Sequence, residues 1–233
     1  MATIAWRVEG YEPLEGRAKW ALVALTAAIA IDLVAIGSDV LEWRLLERFE
    51  HGEAVTLAEA DANDARQALM GWLQLGALAV GAVFFIRWFH RAYANLFPLG
   101  AKDLRFGSGW AIGAWFVPIL NLVRPKQIAN DIWRGSDPDA PLDQGTEWRG
   151  RSYSGLLSYW WVAFLAAGWI GTAALSTLDG ETAAELQRVT LGWIVADSLD
   201  AVAAVLAILV VYRTTLRQEA RAARLASEQA GVI

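Results

Sequence analysis

Three aspartates pose the chemical question. Asp32 lies inside "WALVALTAAIAIDLVAIG", Trp20 to Gly37, and Asp197 and Asp200 lie inside "VTLGWIVADSLDAVAAVLAILVVY", Val189 to Tyr212. Carboxyl groups in runs this apolar are costly to bury and are functional candidates by default. Asp197 and Asp200 are spaced i, i+3, which puts them on one helix face. No Lys or Arg occurs at comparable depth in either run. The acids therefore need hydrogen-bond donors, water, a bound cation or a proton. Two chemistries follow. One is a proton or cation relay; the other is a set of neutral carboxyls bonding between helices as polar glue.

A second set is basic. Arg87, His90 and Arg91 close the apolar run Ala68 to Phe89, and Arg124 and Lys126 follow the run Gly109 to Val123. Together they suit a lipid phosphate or another anion. The plainer reading is topology-setting charge whose stems snorkel to the interface. Asn95 and Asn121 are expected to tie these two runs together, and Asp131 to cap or pair locally.

These groups are carried by an unusual chain. Of 233 residues 56% are hydrophobic and 19% charged, and the apolar ones are gathered into long runs, which is the membrane signature. The 13 tryptophans fit interfacial anchoring, and the absence of cysteine excludes disulfides and thiolate metal sites. His51 and His90 are far apart and no cluster has metal-ligand spacing, so no metal and no cofactor are expected. No catalytic or nucleotide-binding motif occurs, which argues against an enzyme. The basic residues follow topology rather than forming a nucleic-acid face. Residues 1–17 mix acids and bases and lack a cleavage site, so the N-terminus reads as retained.

Four runs reach spanning length: about 18–37, 68–90, 155–176 and 189–213. The run Gly109 to Val123 is shorter and carries Pro118, which removes an N–H and breaks a helix. If it spanned, the C-terminal Arg213, Arg217, Arg221 and Arg224 would fall outside. If it enters and leaves on one side, only Arg44, Arg48, Arg66 and Arg188 of the 20 Lys+Arg are outside. The second arrangement fits the positive-inside rule. Residues 108–124 are therefore expected to be re-entrant, with Gly109 and Gly113 giving a close-approach face, Trp115 within the dip, and Asn121 satisfying backbone groups freed by Pro118. Residues 126–134 suit a short interfacial helix with Ile128, Ile132 and Trp133 towards lipid or protein. Thr56-Leu-Ala-Glu59 and Thr182-Ala-Ala-Glu185 read as capping boxes. "DVLEWRLLERF" has helical spacing and extends the first helix past the membrane. Residues 135–152 read as a cytoplasmic loop, and 1–16 and 218–233 as cytoplasmic tails around a membrane domain, 17–217.

"FFIRWFHRAYANL", "GWAIGAWFVPILNLVRPKQIANDIW" and "DAVAAVLAILVVYR" resemble the bacterial membrane family called domain of unknown function 4328, over about Arg17 to Arg217. The resemblance implies a multi-pass helical protein and no particular activity.

The expected fold is all-α: a polytopic membrane protein with four transmembrane helices in two hairpins plus a re-entrant or interfacial segment. It is expected in a bacterial inner membrane with both termini cytoplasmic. The expected function is a non-enzymatic scaffold or accessory subunit. Its partners would be membrane lipids, a protein, or a second copy through small-residue helix faces, and not nucleic acid. The alternative is a small proton- or cation-coupled transporter or channel using Asp32, Asp197 and Asp200.

Overall fold

The computed structural model describes residues 8–175 and 182–231. Residues 1–7, 176–181 and 232–233, which include parts of the expected tails and the end of the expected third span, lie outside the described residues. The chain is helical: α1 Glu15–Glu50, α2 Leu57–Ala94, α3 Trp110–Gly113, α4 Arg124–Gly135, α5 Gly155–Leu175 and α6 Ala183–Gly231, with 3-10 turns at Leu120–Leu122 and Glu147–Gly150. Four of these helices, α1, α2, α5 and α6, are long and apolar enough to cross a membrane. Only 11% to 33% of their apolar windows is buried, so most of that surface needs a non-aqueous surround. The protein is an all-α multi-pass membrane protein.

Both capping boxes form. Thr56 N–H donates to Glu59 Oε2 at 2.9 Å and Glu59 N–H donates to Thr56 Oγ1 at 3.2 Å. Thr182 and Glu185 repeat the pattern at 3.1 and 3.2 Å. Each threonine satisfies an N–H that the first helical turn leaves orphaned, and α2 and α6 begin at the next residue. The extension of the first helix is also present, since α1 continues to Glu50.

The chain divides into two compact units. Unit 1 comprises Met1–Leu22, Ala82–Tyr159 and Ile208–Ile233. Several of its polar side chains turn inward. Arg221 is 1% exposed and donates to five backbone carbonyls: Leu99, Asp137, Ala140, Pro141 and Leu142, at 2.8 to 3.3 Å. Gln144 Nε2 donates to the Leu99 and Gly135 carbonyls, each at 2.9 Å. Gln218 Nε2 donates to Ala92 O at 2.7 Å and Ser136 Oγ at 2.9 Å. Gly100, at φ +91°, lies so close to this clamp that a Cβ would come within 2.5 Å of the Leu142 carbonyl.

This arrangement corrects two expectations and adds to a third. Residues 218–231 are no tail: they continue α6, and Gln218, Arg221, Ala222 and Leu225 are buried. The described end of the N-terminal segment packs too, Val8 and Tyr11 lying with Leu99, Ala222 and Leu225. Residues 135–152, read as a loop from their Gly, Pro and Asp content, are largely irregular, yet Ser136, Ala140, Gln144 and Trp148 are buried. Backbone carbonyls in that stretch need donors once buried, and Arg221 supplies them.

Unit 2 comprises Val23–Gly81 and Trp160–Ala207. Here α5 and α6 approach closely through small residues. A Cβ at Gly192 would lie 3.1 Å from that of Ala174, and one at Gly171 would lie 3.8 Å from that of Ala196.

Candidate functional site

The sequence-predicted acids converge in unit 2. Gln74 on α2 lies close enough to Asp32 on α1 and Asp197 on α6 to influence both carboxyls. Asp200 lies within electrostatic range of both acids. Asp197 is buried, Asp32 partly buried and Asp200 exposed. The shared-face expectation for Asp197 and Asp200 therefore splits. Three residues advance a helix by about 300° rather than a full turn, enough to leave only Asp197 covered.

A polar column continues from that cluster. Asp39, one α1 step of seven residues beyond Asp32, lies within electrostatic range of Asp197. Gln67 Nε2 donates to Asp39 Oδ1 at 3.1 Å and to Glu42 Oε2 at 2.7 Å. Ser38 Oγ donates to Gln67 Oε1 at 2.9 Å, and Arg66 Nε donates to Ser38 Oγ at 3.0 Å. Arg66 Nη2 also reaches Asn63 Oδ1 at 2.5 Å. Thr190 on α6 donates towards Glu42 at 3.3 Å. Hydroxyl, amide and carboxyl thus form a continuous chain across three helices, the kind whose members polarise one another.

Sequence reasoning found the acids and missed the amides and hydroxyls between them. The signal was present. Asp32 and Asp39, Gln67 and Gln74, and Thr190 and Asp197 are each seven residues apart, two helical turns, so each pair lies on one face. No single one of the neutral residues marks a site; the shared period does.

The basic set is not one site. Arg91 is held within unit 1: it pairs with Glu12 Oε1 at 2.9 Å and donates to Gly10 O at 2.8 Å and Asn95 Oδ1 at 2.9 Å. Arg87 is exposed and His90 partly buried. Arg124 and Lys126 belong to aromatic contacts on α4: the Arg124 guanidinium lies 4.1 Å from the Trp110 ring centre, and Lys126 Nζ lies 4.5 Å from that of Tyr153. Burial and the nearby Arg134 bring the Lys126 amine down to about 8. Asn95 does not bond Asn121; it accepts from Glu12 N–H and donates to Glu12 O and Gln218 Oε1.

Residues 108–124 do not build a spanning helix. They hold only the four-residue α3 and one 3-10 turn. The Gly109/Gly113 close-approach face is absent because α3 ends at Gly113; a Cβ at Gly109 would meet nothing within 4 Å and one at Gly113 only the Trp110 ring. Trp115 packs edge-on against Phe85 and Phe89, with ring centres 5.8 and 5.7 Å apart. Beyond Pro118 the turn is closed by backbone bonds, Leu120 N–H to Pro118 O at 2.8 Å and Asn121 N–H to Val117 O at 3.0 Å. On α4, Ile128 and Ile132 are buried in protein. Asp131 is fully buried beside them and pairs with Arg105 at 3.3 Å, 26 residues earlier in the sequence rather than locally.

Four long apolar helices and a polar column among them define a polytopic helical membrane protein. The sequence model of the family described as Domain of unknown function (DUF4328) matches residues 51–216, and the chain belongs to that family. No curated protein and no solved structure matches the chain.

Proposed function

We propose that the protein is a small proton- or cation-coupled membrane transporter or channel whose working groups are Asp32, Gln74 and Asp197. The observation that carries this reading is Gln74, one amide placed close to carboxyls from two other helices. Its NH₂ offers two donors, so both acids can be oriented at once while their charge stays uncompensated. In an apolar surround uncompensated charge is unfavourable, and a proton or a small cation balances it. The column through Asp39, Gln67, Glu42 and Ser38 supplies a route of exchangeable protons and oxygen ligands to that site.

We further propose a bacterial cytoplasmic membrane with both termini inside. Support for the orientation comes from charge: of the 20 Lys+Arg, only Arg44, Arg48, Arg66 and Arg188 fall in unit 2.

The test is flux in proteoliposomes loaded with a pH-sensitive dye under an imposed potential, with sodium and potassium compared against proton alone. Wild type should pass one of these ions, and Asp32→Asn and Asp197→Asn should lose the flux while retaining helical content. A folded wild type that passes none of the three would reject transport and leave the non-enzymatic scaffold.

A further inference from the structure

The surface around residues 106–126 has two properties that meet at one place. Its apex is apolar and uncovered: Phe116 is 71% and Ile119 79% exposed, with Val117, Leu122 and Val123 also exposed. Ile119 holds φ +68°, a conformation costly for a β-branched residue, which turns the chain back sharply. The base of this turn is fixed by Trp115 against Phe85 and Phe89. At the base lies a fixed cation. Arg124 lies over the rings of Trp110 at 4.1 Å and Phe106 at 4.8 Å, and among the described residues no carboxylate pairs with it. Lys126 sits over Tyr153 and contacts Asn130 Oδ1 at 2.5 Å, again with no carboxylate partner among the described residues. The acid on this helix, Asp131, is buried and directed to Arg105. The start of α4 has no side-chain cap and adds the positive end of its dipole.

We propose that residues 110–126 form a lipid-engaging wedge: Phe116 and Ile119 insert among acyl chains while Arg124 and Lys126 hold the phosphate of an anionic phospholipid. The rings orient Arg124 without neutralising it, so its N–H fork stays available for bidentate phosphate recognition. An apolar apex over a cationic base matches the depth profile of a leaflet, acyl below and phosphate above. The proposal is independent of any flux, because all its residues lie in unit 1.

The natural chain has no cysteine, so a single one can be labelled cleanly. A nitroxide on Ile119→Cys in the full chain, reconstituted in phosphatidylcholine vesicles with and without phosphatidylglycerol, should be reached by oxygen and shielded from a water-soluble nickel chelate. Phosphatidylglycerol should increase that shielding and raise thermal stability in wild type. Both gains should vanish in Arg124→Gln/Lys126→Gln and persist in Arg87→Gln, which removes an exposed charge elsewhere. Free glycerol phosphate should not substitute for the lipid. A label at residue 119 open to the nickel chelate in both vesicles would overturn the wedge. Equal gains from phosphatidylglycerol in wild type and the double variant, with unchanged helical content, would overturn the phosphate clamp. An Arg124→Lys variant covers the case of misfolding: keeping the charge but losing the fork, it should fold and show a reduced gain, and an undiminished gain would also count against the clamp.

Discussion

The two units bury polar side chains for opposite ends. In unit 1 most of the partners are backbone: Arg221, Gln144 and Gln218 together donate to carbonyls of Leu99, Gly135, Ala92 and the 137–142 stretch. Backbone carbonyls do not titrate and cannot leave, so such bonds hold a fold. In unit 2 the partners are other side chains: Gln67 bridges Asp39 and Glu42, and Gln74 lies close to Asp32 and Asp197. Carboxyls can exchange a proton or take a cation, so these bonds can change state. Burial of polar groups alone does not mark a working site; the nature of the partner separates structural from exchangeable polarity.

The largest break in this comparison is expected at Arg221. Arg221→Met keeps most of the stem and strands five carbonyls, and should lower stability by at least about 3 kcal/mol. A thermal or denaturant melt in detergent measures it. A loss within about 0.5 kcal/mol would mean the clamp is incidental.

Asp131 sharpens the comparison, as the one buried carboxyl among the described residues of unit 1, held in an ion pair rather than a backbone network. Burial pushes its carboxyl up to about 6, against the pull of Arg105, Arg134 and Arg149. Unfolding returns the group to its ordinary value of 3.8, so the folded state holds the proton more tightly. Its contribution is therefore fully present below the ordinary range and is lost as pH rises through about 6. Relative to Asp131→Asn, wild type should lose about 1–3 kcal/mol between pH 4 and pH 7. Parallel stability curves for the two proteins over that range would refute the assignment.

Much of this was legible in the sequence, and the reasons differ by element. The four long helices were, because apolar runs of spanning length have one physical solution in lipid. Both helix starts were, because Thr and Glu three residues apart complete one another locally. The packed ends of the chain were not. Arg221 finds its carbonyls 79 to 122 residues away, and nothing in its neighbourhood distinguishes it from a topology-setting arginine. The same limit hid the capture of Arg91 by Glu12, 79 residues earlier. At the site, Asp32 and Asp197 stood out by cost, whereas Gln67 and Gln74 are uncharged and carry little penalty one at a time. Their information lay in a seven-residue period common to three helices, visible only when the helices are compared.

Two amides, one from each unit, give the most direct test. Gln74→Leu and Gln218→Leu remove the same group from opposite sides of the comparison. Each variant is reconstituted, and ion flux per folded molecule is measured beside the melting temperature. The account predicts that Gln74→Leu abolishes flux with a small change in melting temperature. It predicts that Gln218→Leu, which strands Ala92 O, Ser136 Oγ and Asn95 Nδ2, melts markedly earlier while its folded fraction conducts as wild type. Wild-type flux in Gln74→Leu, or loss of flux per folded molecule in Gln218→Leu alone, would contradict it.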